Sequence, residues 1–319
     1  MLKAYSFTEN EGLSQRLNDK SFFSLERQLA AEFVRQHHIS LSAAKNEKCP
    51  LCGSDETDLF TAIDTIPFFR CDRCWSIFAP AEQSIVDEYR AYTPITALRS
   101  SDEYQEIASV KRLKMWDELV FWFKFRSARY FGKSANFSIL DIGNRYNVFR
   151  EMIKSFSSEY TAVSDLVQAN TEAEIVLFLT QIQYETNPIQ AFEKIYSLIK
   201  PNGLLFLSAR VGSGFDVLTL KGATDTIYPF EHTTLPSIKG LQISLEKTGF
   251  ELLEITSPGN LDIRYVMENI EKLPDDNLFL KYLSKNSDES ILTEFQRFIQ
   301  KSNLSSHARL VARKKGDTV

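Results

Sequence analysis

FSILDIG, at residues 137–143, is the stretch from which the architecture of this chain can be worked out. A short, largely apolar run of this kind is typical of a strand buried on both faces of a parallel sheet. Asp141 and Gly143 close the run, and an acidic residue followed by glycine at the end of a strand lets the backbone approach a ligand. We therefore predict that Asp141 and Gly143 lie at a ligand-binding edge of a sheet.

Downstream of this stretch, short apolar runs alternate with helical patterns. The tetrapeptide KPNG at 200–203 is interpreted as a turn. Alternation of short buried strands with helices predicts an α/β protein with a mostly parallel sheet and helices on both faces. We predict strands at 137–142, 160–163, 174–179, 204–208, 250–256 and 307–313, and helices near 148–156, 188–199 and 237–248.

Upstream, four cysteines form two CxxC pairs, and 18 residues separate the pairs. This spacing is typical of a zinc site with four thiolate ligands, which leaves no coordination position for water and so predicts a structural metal. Two disulfides, a redox pair or an unmetallated remnant are the alternatives, and a reducing compartment disfavours the disulfides. The predicted zinc ligands are Cys49, Cys52, Cys71 and Cys74.

Composition narrows the class of protein. The 319 residues are 43% hydrophobic and 25% charged, which excludes a disordered or low-complexity chain. With 37 basic and 42 acidic residues spread along it, the chain has no basic field that would indicate nucleic-acid binding. No run of 18 apolar residues and no signal-peptide pattern occur. We expect a cytoplasmic protein whose partner is a small molecule or a protein, with a homodimer as a further option.

Four regions follow along the chain. An amphipathic helix is predicted at 24–36, and a long aromatic helix at 102–131. We expect an N-terminal helical segment at 1–45, a zinc-binding module at 46–80, a linker and the long helix at 81–136, and an α/β domain at 137–319 with a helical insertion at 265–302.

The downstream half resembles a known family. Its order is a strand, the helix 188–199, KPNG, the strand LLFLSA at 204–209, the pair Glu231–His232, and TGFELLEI at 248–255. This order resembles class I S-adenosylmethionine-dependent methyltransferases. Together with the cysteine module it looks like the sugar C-methyltransferase type, which acts on nucleotide-linked sugars and surface-glycan intermediates.

The resemblance implies a Rossmann-like methyltransferase sheet and S-adenosylmethionine as cofactor. It places Asp141, Gly143 and Asp165 at the cofactor. It also places Glu231 and His232 in the acceptor pocket, with the histidine as general base. Histidine suits that role because its side chain titrates near neutrality. The alternatives are structural: His232 packing its loop, and Asp141 bonding local backbone amides.

Two departures from the family pattern favour a second hypothesis. The family's cofactor loop has three alternating glycines, whereas Arg145 and Asn147 stand at the second and third positions here. Glu174 lies only 33 positions after Asp141, which leaves room for one intervening strand instead of two. We therefore predict a sheet one strand–helix unit short. The chain is either a methyltransferase or a non-catalytic binding or assembly protein, a pseudoenzyme that has lost S-adenosylmethionine binding.

Overall fold

The computed structural model describes residues 20–37, 47–132, 136–143, 151–224 and 226–315. Side chains are described in these ranges except at 20–24, 103, 105–116 and 155. The strands are β1 (Thr57–Ile63), β2 (Ile66–Cys71), β3 (Ile77–Phe78), β4 (Phe137–Ile142), β5 (Ser157–Val163), β6 (Ala173–Leu179), β7 (Ile199–Arg210), β8 (Thr234–Leu235), β9 (Phe250–Thr256) and β10 (His307–Lys314).

The helices alternate with these strands in the second half of the chain. They are α1 (Lys20–Gln36), α2 (Gln83–Ala91), α3 (Thr93–Ser100), α4 (Asp102–Phe131), α5 (Pro188–Leu198), α6 (Phe215–Leu220), α7 (Ile238–Lys247), α8 (Asp262–Glu268), α9 (Leu278–Asn286) and α10 (Glu289–Lys301). None of the described helices combines the length and the apolar character that crossing a membrane requires.

The larger sheet has six described strands in the order β5-β4-β6-β7-β10-β9. The strands β5, β4, β6 and β7 run parallel, and β10 is antiparallel to both of its neighbours. The predicted α/β class with a Rossmann-like, mostly parallel sheet is therefore confirmed. Only β5 lies between β4 and β6 along the described chain, so the sheet is one strand–helix unit shorter than the family pattern.

Helices cover both faces of this sheet. The strand β4 is buried along its whole length, as its apolar run predicts. On one face Leu140 and Leu205 pack with residues of α5 and α7. On the other face α4 packs through Trp122, whose ring lies 5.2 Å from that of Phe206. The two cores fix the carboxyl ends of β4, β6 and β7 along one edge.

The prediction of a turn at KPNG is wrong. These residues lie inside β7, which continues without a break to Arg210. Asn202 adopts φ +64°, and a Cβ at Gly203 would lie 2.6 Å from the carbonyl oxygen of Glu174. Because asparagine tolerates a left-handed conformation and glycine a close backbone approach, the strand bends here and does not end.

A smaller sheet joins the cysteine region to the α/β domain. Its order is β1-β2-β3-β8, and β8 comes from the α/β part of the chain. Ile77 pairs with Leu235, and Phe78 with Thr234. The cysteine region therefore shares a sheet with the domain that follows it.

Candidate metal centre and ligand-binding edge

The four predicted ligand cysteines converge. Their Sγ atoms all lie within 4.8 Å of one another, and each side chain is almost fully buried. The Sγ atoms of Cys49 and Cys74 are 3.6 Å apart, and those of Cys52 and Cys71 are 3.5 Å apart. Tetrahedral zinc with bonds of about 2.3 Å separates its sulfur ligands by roughly 3.8 Å. The predicted convergence is confirmed, and the donor set fits zinc.

Two equivalent turns present these sulfurs. In the first, Cys49 N–H donates to Ser54 O (2.8 Å) and Gly53 N–H donates to Cys49 O (2.9 Å). In the second, Cys71 N–H donates to Ser76 O (2.9 Å) and Trp75 N–H donates to Cys71 O (2.7 Å). Gly53 has φ +76° and Trp75 has φ +65°, so the second turn carries a bulky residue where the first has glycine.

The pKa values of Cys74 and Cys71 are shifted in opposite directions. Hydrogen bonding with Cys49 and with Ser76 lowers the pKa of Cys74 to about 5. Burial raises the pKa of Cys71 to about 11. A bound divalent cation deprotonates coordinating thiols outright and would remove this difference.

The helix α7 holds both turns in place through their backbone carbonyls. A module bound in this way has a fixed orientation against the α/β domain. The donors and acceptors are Ser237 Oγ to Cys74 O, Lys239 Nζ to Arg73 O (2.6 Å), Ser244 Oγ to Leu51 O (3.1 Å) and Lys247 Nζ to Cys52 O (2.6 Å).

At the carboxyl end of β4, Asp141 and Gly143 are both engaged by other residues. The hydroxyl of Tyr160, on β5, donates to the Asp141 carboxylate. Gly143 has φ +80°, and a Cβ placed there would lie 2.2 Å from Cδ of Gln181. The Gln181 amide donates to the carbonyls of Gly143 (3.3 Å) and Leu179 (3.2 Å). The space in front of Gly143 is therefore filled by the Gln181 side chain.

Asp165 is exposed and closes its own turn. Its Oδ1 accepts from the Gln168 N–H (3.0 Å), and its Oδ2 accepts from the Ser164 hydroxyl (2.8 Å). The three predicted cofactor residues thus each bond to neighbouring groups of the described chain. Arg145 and Asn147 lie outside the described residues.

His232 lies among aromatic rings at the same edge of the sheet. Its ring stacks with Tyr184 (centroids 5.8 Å apart) and with Tyr228 (5.6 Å). The Tyr228 backbone N–H donates to His232 Nδ1 (3.0 Å), so the neutral ring carries its proton on Nε2. Burial and the nearby Arg210 lower the pKa of His232 to about 3, and the opposing effect of Glu231 is smaller. The ring is therefore neutral and presents Nε2–H as a donor.

Glu231 belongs to a buried ion cluster. Arg99 Nη1 lies 2.6 Å from Glu231, and Arg99 Nε lies 3.0 Å from Glu26. The hydroxyl of Tyr104 donates to the same Glu26 oxygen (3.1 Å). Beside this cluster, burial and the charge of Glu231 raise the pKa of Tyr89. The cluster links α1, α3 and α4 to the loop that carries His232.

Sequence patterns left several of these residues unassigned. Gln181 lies two residues beyond β6, and that position at the end of a buried strand could have marked it. Arg99 is 132 positions away from Glu231, and no local pattern joins them.

No family model matches the chain, and no curated protein matches its sequence. Three solved structures illustrate what it is similar to. The plantazolicin methyltransferase BpumL, in complex with a monoazolic desmethylPZN analog and SAH, is 12% identical (72% of this chain, 94% of that chain, TM-score 0.42). An S-adenosylmethionine dependent methyltransferase from Mesorhizobium loti is 11% identical (62% and 99%, TM-score 0.40). The cyclopropane synthase MmaA2 from Mycobacterium tuberculosis is 12% identical (57% and 79%, TM-score 0.36). All three TM-scores are below 0.5, so the fold assignment depends on strand order and register.

Proposed function

We propose that this chain is a non-catalytic binding or assembly protein, with a methyltransferase-like sheet and a structural zinc ion held by Cys49, Cys52, Cys71 and Cys74. The observation that carries the proposal is the position of Gln181, whose side chain fills the space in front of Gly143. S-adenosylmethionine would have to displace the Gln181 side chain to approach the backbone at Gly143. We also propose a cytoplasmic location, because a reducing compartment keeps four thiols available for zinc.

Displacing Gln181 has a definite energetic cost. The side chain is buried, and its amide donates to two backbone carbonyls. A ligand that removed it would leave these buried groups unsatisfied at about 1–3 kcal/mol unless it replaced their hydrogen bonds. That cost corresponds to roughly 5- to 150-fold in affinity. Asp141 adds to the effect, because a cofactor group that bonded to its carboxylate would have to compete with the Tyr160 hydroxyl.

Calorimetric titration of the full-length, zinc-loaded chain with S-adenosylmethionine and with its demethylated product tests the proposal. We expect any binding to be weaker than micromolar, because the contacts of Gln181 and Asp141 would have to be displaced. Micromolar binding would contradict the proposal and favour an enzyme.

Two variants show whether Gln181 in particular, and not any buried glutamine nearby, weakens the binding of S-adenosylmethionine. Gln181→Gly empties the space in front of Gly143. Gln183→Gly removes a neighbouring buried glutamine whose amide donates to Thr180 O (3.0 Å) instead. Binding that is at least tenfold tighter in Gln181→Gly than in Gln183→Gly would show that Gln181 blocks the site. Equal affinities would show that it does not.

The second candidate is an S-adenosylmethionine-dependent methyltransferase acting on a nucleotide-sugar, with Asp141, Gly143 and Asp165 at the cofactor. The buried stack of His232 with Tyr184 and Tyr228 favours it, because ligands of open α/β sheets bind at this edge.

The hydrogen bond from Tyr228 changes the role open to His232 in this candidate. Proton abstraction at Nε2 would require the bond to Nδ1 to break, whereas the Nε2–H as it stands can polarise an acceptor oxygen. Glu231 is held by Arg99 and would orient the loop. With a nucleotide-sugar acceptor, His232→Ala should abolish turnover and leave cofactor affinity unchanged. Full turnover in that variant would contradict a role for His232.

A further inference from the structure

The outward face of α4 carries an unusual stripe of residues. Asp117, Phe121, Phe125 and Arg129 recur every four positions, and all four are exposed. Phe121 is 70% exposed and Phe125 is 54% exposed, and their rings stack at 6.2 Å. We refer to these four residues as the α4 stripe.

A further exposed phenylalanine, Phe156, lies near the stripe. It is 42% exposed, and Lys124, beside the stripe, places its Nζ 4.3 Å from the Phe156 ring centre. Contiguous exposed aromatic side chains mark interaction surfaces, because their burial against a partner removes apolar area from water. No described residue covers Phe121 or Phe125 enough to bury it.

The order of charges along the stripe indicates which partner fits. An acidic residue stands at one end, a basic residue at the other, and two phenylalanines lie between them. Along the helix, the midpoint of residues 117 and 129 and the midpoint of residues 121 and 125 both fall at the level of residue 123. A second copy of the helix, turned by a two-fold axis at that point, therefore places Asp117 opposite the partner's Arg129 and Phe121 opposite the partner's Phe125. Two-fold interfaces require such self-complementarity.

We propose that the α4 stripe is the contact surface of a homodimer in which two α4 helices pack antiparallel about residue 123. Rows of residues four apart form the ridges of the commonest helix-packing class, which crosses at about −50°. Each interface then contains two aromatic pairs at its centre and two opposite-charge pairs at its ends. This proposal does not depend on the proposed function.

Sedimentation velocity of the full-length, zinc-loaded chain tests the proposal. We expect a species of twice the 36.6 kDa chain mass that dissociates on dilution. Phe125→Glu should weaken the dimer roughly hundredfold, because both central aromatic pairs are lost. The control Phe279→Glu alters a phenylalanine on α9 that is even more exposed than Phe125, and it should leave the dimer intact.

A charge swap tests the register. Asp117→Arg or Arg129→Asp alone places like charges opposite each other at both ends, and should weaken the dimer about tenfold. The double variant Asp117→Arg/Arg129→Asp restores both pairs and should restore the dimer. Zinc content and far-UV circular dichroism confirm that each variant is folded.

A monomeric wild-type chain overturns the proposal and points to another protein, or to a segment outside the described residues, as the occupant of the stripe. A dimer that Phe125→Glu leaves intact also overturns it. So does a dimer that the double charge swap fails to restore.

Discussion

The cysteine cluster and the carboxyl edge of the large sheet are the two places where the sequence predicts a bound group, and they differ in what surrounds the predicted residues. At the cluster, four sulfurs face one another, and α7 contacts the two turns through their backbone carbonyls. At the edge, the Tyr160 hydroxyl donates to the Asp141 carboxylate, and the Gln181 side chain fills the space in front of Gly143. A binding residue therefore serves its ligand only where the surrounding side chains leave it accessible.

Removal of one cysteine should have the largest effect. Cys71→Ser leaves three thiols, and we expect the zinc content to fall from about one per chain to a small fraction. The stability lost is on the order of 10 kcal/mol, since metal binding supplies folding energy to such modules. Zinc analysis and urea unfolding measure both quantities.

Asp72→Ser is the matched control, because Asp72 is exposed between two of the cysteines and pairs only with Arg70 among the described ion pairs. It should keep zinc and lose less than about 1 kcal/mol. A zinc-free wild-type chain after reducing, chelator-free purification would contradict a metal role for the cluster.

The second-largest effect should come from the ion cluster beside the carboxyl edge of the large sheet. Arg99→Met removes the guanidinium that pairs with the buried Glu26 and Glu231, and we expect a loss of about 3–5 kcal/mol in the free energy of unfolding. Arg297→Met, which breaks an exposed pair with Glu294, is the control and should cost less than about 1 kcal/mol. Similar losses in the two variants would show that the Arg99 cluster contributes no more than a surface pair.

Acid should destabilise the edge through His232. The pKa is about 3 in the folded chain and 6.5 ordinarily, so the unfolded chain binds more protons between these values. The contribution of neutral His232 to the free energy of unfolding is therefore complete above pH 6.5 and is lost as the pH falls. We expect a loss of about 2 kcal/mol between pH 7 and pH 5. Urea unfolding at both pH values measures the loss, which should be about 2 kcal/mol smaller in His232→Gln. An unchanged pH dependence in that variant would show that His232 is not buried in its neutral form.

The smallest effect concerns the two cysteine turns. Gly53→Ala should lose about 1 kcal/mol, because alanine is strained at φ +76°. Trp75→Gly relieves the same strain and gives up the contact with Arg70, whose guanidinium lies 4.8 Å from the ring. It should therefore lose less stability than Gly53→Ala in thermal unfolding. The reverse order would show that backbone strain does not distinguish the turns.

Local patterns were sufficient for much of the fold. The apolar run at 250–256 and the aromatic helix at 102–131 lie where the sequence predicts them. The cysteines converge because two CxxC turns need only short-range geometry to aim their sulfurs. The KPNG prediction was wrong because Asn202 adopts a left-handed conformation inside a continuous strand.

The candidate edge was harder to predict because its contacts are distant in sequence. Gln181 reaches Gly143 across 38 positions, and Arg99 reaches Glu26 across 73. Side-chain orientation and burial decide such contacts, and neither follows from spacing along one chain. The types of residue were predictable, whereas their partners were not.

The pairing of β3 with β8 has a consequence for biosynthesis. Ser76, which follows the second cysteine turn, contacts Ser237, and the two lie 161 positions apart. While the chain emerges from the ribosome, the cysteine turns are made long before β8 and α7, the elements that complete their sheet and hold their carbonyls. In the interval Ile77 and Phe78, both buried in the finished protein, have no strand to pair with on that side. The cysteine region therefore needs the domain that follows it to complete its sheet. It reaches its final structure only late in synthesis.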